Sequence, residues 1–192
     1  MHLIHIWLVG LFQMWFFTKS SCGEVYIKFT KLECDPNPKY FYNHTCRLKA
    51  INRYKTIATM KTLIKDVLRN VSVNIVLYAR NDVQVFRPLL VNFTANICEF
   101  LDKKHSNIYM GIFMKFLSQY SNVNHSCPYT GYLIMDNLYI DNSHQLITKV
   151  LTNFLNTYYK IVLHFYEDYP KDYIGKVSYY LEVIETKKSK KI

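Results

Sequence analysis

Apolar and polar residues alternate with a period of two in the segment 71–80, which is the pattern of a strand with one buried face. The odd positions of this segment are apolar as far as 77, and Val76 is the one aliphatic residue among the even positions. Positions 81–82 favour a turn, and the alternation restarts over 83–91. The pattern therefore predicts a β-hairpin in the first half of the chain.

A second pair of alternating segments lies near the C-terminus, over 159–166 and 176–183. The segment 167–172 between them contains acidic residues and a proline, which is typical of a turn, so we predict a second antiparallel hairpin. Three earlier strands are predicted, although the last could also be a helix on its periodicity: 24–33, 40–49 and 57–66.

Between Thr94 and Leu117 the apolar residues recur every three or four positions, which predicts two short helices. Asn92 or Thr94 is expected to cap the first helix. Ser106 or Asn107 is expected to cap the second. Together these elements predict a mainly β fold: an antiparallel, immunoglobulin-like β-sandwich of about six to eight strands with a short helical insertion.

The chain opens with an apolar run of about 15 residues, Leu3–Phe17, which is too short to span a bilayer. Small side chains, which signal peptidase requires, follow at Ser20, Ser21 and Gly23. We therefore predict a signal peptide over 1–23 and a secreted, extracellular protein. Histidines replace the usual Lys or Arg before the apolar run, which leaves an uncleaved anchor or a buried helix as alternatives.

The chain contains five cysteines, and Cys22 would leave with the signal peptide. An even number of cysteines in a secreted chain indicates disulfides, so we expect two bridges among the remaining four. Three sets of pairings are possible, and we favour the set Cys34–Cys46 and Cys98–Cys127. Four Asn-x-Ser/Thr sequons agree with export, although we expect at least one of them to be buried and unused. Their acceptor residues are Asn43, Asn70, Asn92 and Asn124.

One domain is predicted over 24–186, followed by a basic disordered tail over 187–192. The formal net charge of +10 would either attract anionic lipids and glycans or keep an aromatic-rich protein soluble, and the extracellular compartment disfavours nucleic acid. The sequence contains no recognisable catalytic motif and no common zinc-ligand spacing. We therefore predict a monomeric protein that is not an enzyme and uses neither a metal nor a cofactor.

Five stretches follow one another in a particular order: Phe29–Cys34, Cys46–Arg53, Arg87–Thr94, Ile97–Leu101 and Ser121–Tyr129. In that order and spacing they resemble the insect family called domain of unknown function 1091, and the surroundings of Cys98 and Cys127 are the most specific parts of the resemblance. This family is similar to the ML lipid-recognition superfamily, which includes the ganglioside activator protein and CheB-type chemosensory proteins.

The resemblance implies an ML-like sandwich whose sheets splay apart around an apolar pocket for a lipid or other hydrophobic small molecule. Such a protein would act in pheromone or chemosensory perception and would meet a membrane receptor. An aliphatic ligand would gain about 0.8 kcal/mol for each CH₂ that leaves water. Eleven residues are candidates for the pocket lining: Phe86, Leu90, Phe100, Phe113, Phe116, Leu117, Tyr159, Ile161, Leu163, Tyr179 and Leu181.

The stretch 141–155 departs from the family, whose members commonly carry Pro and Gly before the penultimate strand. Loops at the end of a sandwich shape the mouth of its cavity, so this departure bears on the size of the pocket and on the choice of ligand. An alternative function is a secreted interaction module with a packed core, which would bind a protein or glycan partner through its loops and basic surface.

Overall fold

The computed structural model describes residues 24–80, 85–102, 108–141, 148–149, 151, 157–168 and 171–186. One compact unit spans Val25–Ile184. A second unit combines Met1–Glu24 with Glu185–Ile192, and only Glu24, Glu185 and Thr186 of it are described. The predicted signal peptide, the predicted tail, the turn at 81–82 and the predicted caps Ser106 and Asn107 all lie outside the described residues.

Eight strands and two helices are described over their full length. The strands are β1 (Glu24–Pro36), β2 (Phe41–Ala50), β3 (Thr56–Ile64), β4 (Val71–Arg80), β5 (Phe86–Asn96), β6 (Tyr132–Leu138), β7 (Tyr158–Asp168) and β8 (Lys171–Thr186). The helices are α1 (Ile97–Leu101) and α2 (Ile108–Leu117). They form the short helical insertion that the sequence predicts, between β5 and β6.

The strands form two sheets. The five-stranded sheet has the order β1-β8-β7-β4-β5, and the three-stranded sheet has the order β2-β3-β6. Both predicted hairpins are confirmed, because β4 pairs antiparallel with β5 and β7 pairs antiparallel with β8. The predicted strands over 24–33, 40–49 and 57–66 are confirmed as β1, β2 and β3, so the third is not a helix.

The predicted turn over 167–172 is too long. Glu167 pairs with Asp172 and Asp168 pairs with Lys171, so the ladder between β7 and β8 continues almost to the end of the hairpin. Glu167 is buried, although acidic residues usually mark a solvated turn, and it belongs to β7 because its side chain has partners inside the fold.

The cap of α1 also differs from the prediction. Thr94 pairs with Asn74 within β5, and Asn92 lies in the same strand, so neither residue begins the helix. Asn96 is the cap, because its side-chain oxygen accepts a hydrogen bond from the backbone N–H of Glu99 at 2.9 Å. Neither helix in the described part of the chain is long and apolar enough to cross a membrane.

The two sheets bury their facing sides in a common core. Val73, Ile75 and Leu77 of β4 point into this core, as the alternation predicts, and Ala58 and Leu138 reach it from the three-stranded sheet. The fold class predicted from the sequence, a mainly β antiparallel sandwich with a short helical insertion, is therefore confirmed.

Val76 breaks the alternation because it is buried on the opposite face of the five-stranded sheet. It lies in register with Val162 of β7, and Val162 lies in register with Ser178 of β8. All three side chains are buried, but none belongs to the core cluster. An aliphatic residue at an even position of β4 therefore does not contradict the strand.

Candidate ligand-binding cavity

A cavity of about 190 Å³ lies between the two sheets and beside the helical insertion. Strands of both sheets, both helices and the segment that precedes β6 contribute to its wall. The lining is mostly apolar: Cys34, Pro36, Phe41, His44, Thr45, Met60, Lys61, Thr62, Leu68, Val71, Ile97, Phe113, Met114, Leu117, Ser121, Val123, Tyr129, Leu133, Ile134, Met135, Leu163, Phe165, Ile174, Gly175, Lys176, Val177 and Tyr179.

The alternation of the strands places these side chains on the cavity wall. Met60 of β3 pairs across the three-stranded sheet with Met135 of β6, so their thioether side chains are neighbours on the same face. Leu163 of β7 and Val177 of β8 are paired in the other sheet and also line the cavity. Each sheet therefore supplies one apolar wall.

Four of the eleven pocket residues predicted from the sequence line this cavity. Phe113 and Leu117 reach it from α2, Leu163 reaches it from β7, and Tyr179 reaches it from β8. The helical insertion thus contributes directly to the cavity, and it does not merely cover the end of the sandwich.

The other seven predicted pocket residues do not line it. Leu90 is 96% exposed on β5, and the ring of Phe86 makes an edge contact with Tyr180 at 5.7 Å. Tyr159 and Leu181 are packed in the core, and the Tyr159 hydroxyl donates to the carbonyl oxygen of Leu151. The remaining three are partly buried against the core but outside the cavity wall: Phe100, Phe116 and Ile161.

The sequence prediction missed three methionines in the wall: Met60, Met114 and Met135. Met60 belongs to a strand that was predicted, and its position relative to the buried Ala58 and Ile64 was a usable signal, because alternate residues of a strand share a face. Met135 lies on β6, which the sequence analysis did not predict. Methionine is flexible and fills irregular space, which suits a wall that adapts to its contents.

Two tyrosine hydroxyls belong to the cavity wall and differ in their partners. The Tyr129 hydroxyl donates to the carbonyl oxygen of Val123 at 3.0 Å, and burial raises the pKa of Tyr129 to about 12. The Tyr179 hydroxyl contacts the sulfurs of Met60 and Met135 at 3.8 and 3.5 Å, and burial raises its pKa as well. Both hydroxyls therefore keep their protons at physiological pH.

Few charged groups line the cavity. Among the described residues that line it, Lys61 and Lys176 are the charged side chains. Lys61 is exposed, and its Nζ lies 4.4 Å from the centre of the Tyr132 ring. Lys176 Nζ lies 3.6 Å from Asp35 Oδ2. His44, a third basic side chain of the lining, is exposed.

Both favoured disulfide pairings are confirmed. Cys34–Cys46 joins β1 of the larger sheet to β2 of the smaller one, with 6.3 Å between the Cα atoms. Cys98–Cys127 joins α1 to the segment before β6, with 5.4 Å between the Cα atoms. Met60 Sδ lies 3.5 Å from Cys34 Sγ, and this is a contact between two sulfurs because a disulfide sulfur carries no proton to donate.

The four sequon asparagines differ in exposure. Asn43, Asn92 and Asn124 are exposed, whereas Asn70 is partly buried and accepts a hydrogen bond from the Asn96 side chain. Glycosylation at these positions remains a prediction. No group of three His, Cys, Asp or Glu side chains in the described ranges could hold a metal ion.

A comparison with protein-family models matches residues 73–166 to the family described as "Protein of unknown function (DUF1091)". No curated protein matches the chain. The matched segment begins within β4 and ends within β7, so it contains both helices, β6 and both residues of the second disulfide. The further similarity to the ML superfamily stays a prediction. The predicted resemblance to the DUF1091 family is therefore confirmed over residues 73–166.

Proposed function

We propose that this protein is a secreted carrier that binds one small apolar molecule in the cavity between its two sheets. The observation that supports this function is the cavity itself, about 190 Å³ of space with mostly apolar walls between the two sheets. Native interiors are close-packed and contain few voids larger than a water molecule, so a space of this size is unusual for a core without a ligand.

The volume limits the size of the ligand. An apolar cavity of about 150 Å³ is large enough for benzene, and pockets for drug-sized ligands begin at about 300 Å³. A cavity of about 190 Å³ therefore fits a single ring or one medium-length aliphatic chain better than a lipid with several chains. A larger ligand would require the sheets to move apart.

Two further features support secretion and transport. Disulfides persist in oxidising compartments, and this chain has two of them in addition to the predicted signal peptide over 1–23. A carrier of small apolar molecules suits the pheromone or chemosensory role that the resemblance implies, in which it would deliver its ligand to a membrane receptor. The signal peptide and the chemosensory role are expectations from the sequence.

Native mass spectrometry of the protein secreted from insect cells tests the function. The proposal expects an additional mass that is lost on denaturation, or, for an empty cavity, displacement of a hydrophobic dye by medium-chain aliphatic compounds. A bare mass together with no displacement would contradict it. That result would favour the alternative of a module that binds a protein or glycan partner through its surface.

A cavity-filling substitution tests the location of the site. Leu133 is a partly buried residue of β6 on the cavity wall, so Leu133→Trp should fill part of the space and weaken dye binding by at least about tenfold. Leu90→Trp is the matched control, because Leu90 lies outside the wall and is almost fully exposed. Equal affinity of both variants and the unsubstituted protein, measured by dye titration, would place the ligand elsewhere.

A further inference from the structure

The Tyr179 hydroxyl is a buried donor on the cavity wall without a strong acceptor. Tyr179 is only 5% exposed, and its ring packs against Phe29 with 5.7 Å between the ring centres. Among the described residues its hydroxyl contacts two acceptors, the thioether sulfurs of Met60 and Met135, at 3.8 and 3.5 Å. Thioether sulfur is a weak acceptor, so most of the hydrogen-bonding capacity of this hydroxyl is unused.

Other tyrosines of the fold show what is missing. The Tyr129 hydroxyl lines the same cavity but already donates to a carbonyl oxygen. Tyr40 and Tyr180 donate to carboxylates, Asp172 at 2.7 Å and Glu33 at 2.8 Å respectively. Tyrosine hydroxyls usually find such partners when they are buried, because a buried donor without one costs about 1–3 kcal/mol. Tyr179 departs from this pattern inside the cavity.

We propose that Tyr179 determines ligand specificity by donating a hydrogen bond to a neutral oxygen atom, such as a carbonyl oxygen, on an otherwise aliphatic ligand. This inference rests on the proposed function, because it concerns the same cavity. It narrows the ligand class from apolar molecules in general to medium-chain ketones, aldehydes and esters.

The surroundings of the hydroxyl favour a neutral acceptor over a carboxylate. Among the described residues the hydroxyl contacts two thioethers and the Tyr179 ring packs against Phe29, and none of these groups can compensate a buried negative charge. Lys61 is exposed, and Lys176 is near Asp35. An ionised head group would therefore lose its hydration without gaining a buried cation, whereas a carbonyl oxygen needs only the one hydrogen bond.

The two methionines allow the acceptor to approach. Each side chain has three rotatable bonds, so each sulfur can move away from the hydroxyl at little cost in packing. The ligand oxygen would then replace two weak sulfur contacts with one good hydrogen bond. A ligand with a methylene group in place of the carbonyl oxygen would leave the hydroxyl with its sulfur contacts only. The difference in affinity between the ligand with the oxygen and the ligand without it is the expected basis of selectivity.

The test compares two ligands of the same shape by calorimetric titration. One is a medium-chain methyl ketone, and the other is the alkene in which a methylene group replaces the carbonyl oxygen. The unsubstituted protein should bind the ketone about five- to tenfold more tightly, as expected for one hydrogen bond to a buried donor. Tyr179→Phe should remove this preference by lowering the affinity for the ketone to that for the alkene. Tyr180→Phe, which removes a hydroxyl that donates to Glu33 outside the cavity wall, should retain the preference.

A series of ketones provides a second test that requires no substitution. If one donor fixes the oxygen, affinity for chains of equal length should depend on the position of the carbonyl and should peak at one position. Equal affinity for ketone and alkene, or a preference that survives Tyr179→Phe, would overturn the role of Tyr179 while leaving the cavity as the binding site. Binding of neither compound would overturn the proposed function, and the role of Tyr179 with it.

Discussion

Glu167 shows how one buried carboxylate can organise the start of a strand. Its side chain is only 7% exposed, and its Oε1 accepts hydrogen bonds from the backbone N–H groups of Arg69 and Asn70 at 3.1 and 3.0 Å. These two residues precede β4, the strand that lies between β7 and β5 in the larger sheet. Glu167 thus satisfies two backbone donors at the point where the chain enters that strand.

We predict that Glu167→Ala lowers the free energy of unfolding by about 2 kcal/mol, because two partly buried N–H groups lose their acceptor. Glu185→Ala is the matched control, since Glu185 is exposed, and a change within about 0.5 kcal/mol is expected there. Urea denaturation of both variants provides the measurement. If the two substitutions cost the same, the hydrogen bonds of Glu167 contribute nothing to stability.

The cavity residues were predicted less well than the buried residues. The alternation of β7 and β8 correctly placed Tyr159, Leu163, Tyr179 and Leu181 on the inner face of their sheet. Periodicity identifies the face of a strand but not the part of the core that is hollow, because a hollow depends on how the facing sheet and the helices fill the space. Leu163 and Tyr179 therefore line the cavity, while Tyr159 and Leu181 are packed.

The strand β6 was missed because its sequence conceals the period of two. Tyr132 and Ile134 are exposed although they are apolar, so both faces of the strand read as hydrophobic. The register against β3 then shifts by one residue between Met135 and Leu138, where Asn137 has a positive φ of 54°. This bulge changes which positions face the core, and a rule based on strict alternation cannot follow it.

The strands that were predicted have longer regular stretches. Seven of the eight strands in the described ranges have a predicted counterpart, and the helical insertion was recognised by the change of period from two to between three and four. The ends of the elements were less accurate, as Asn96 and Glu167 show. Asn96 caps α1 by accepting a hydrogen bond from the backbone of Glu99, and Glu167 extends β7 while accepting one from the backbone of Arg69. Such partners are not visible in a sequence.

Gly175 permits close contact between β8 and the end of β1. A Cβ atom at this position would lie 3.2 Å from the backbone of both Asp35 and Pro36, which is closer than ordinary van der Waals contact. The two segments are also joined here by a hydrogen bond from the backbone N–H of Asn37 to the carbonyl oxygen of Ile174 at 3.0 Å. The absence of a side chain thus lets the two backbones approach.

We predict that Gly175→Ala destabilises the protein by about 1–3 kcal/mol, because backbone atoms of β1 must move to admit the methyl group. Gly111→Ala is the matched control. In α2 a Cβ at Gly111 has its nearest neighbour at 3.9 Å, so this substitution should be neutral or stabilise the helix by about 0.5–1 kcal/mol. Urea denaturation gives both values, and destabilisation of similar size in both variants would contradict the contact at β1.

The two disulfides connect the parts of the sandwich that surround the cavity. Cys34–Cys46 links one strand of each sheet directly, and Cys34 itself lines the cavity. Cys98–Cys127 links the helix that follows β5 to the segment that leads into β6. Each bridge therefore connects a segment in or next to the larger sheet with a segment in or next to the smaller one. A void of about 190 Å³ lowers the stability of the core, and the two covalent connections offset part of that loss.

The two bridges should differ in their contribution to stability. Their cysteines are separated by 12 and 29 residues in the sequence. For loops of these lengths, the loss of chain entropy in the unfolded state is worth about 3 and nearly 4 kcal/mol of stability. Cys98 has a further role, because its Sγ lies 3.2 Å from the backbone N–H of Val71 in a buried position. Loss of this hydrogen bond would add about 1 kcal/mol to the cost of removing Cys98.

We therefore predict that the double substitution Cys98→Ala with Cys127→Ala lowers the free energy of unfolding by about 5 kcal/mol. The pair Cys34→Ala with Cys46→Ala should cost about 3 kcal/mol. Urea denaturation of each double variant, with the other disulfide intact, measures both values, and the slope of each transition shows whether the unfolded state has expanded. An equal or reversed order would mean that loop length and the Val71 contact do not set the contributions of the bridges. The cause would then lie in how each bridge fits the native sandwich.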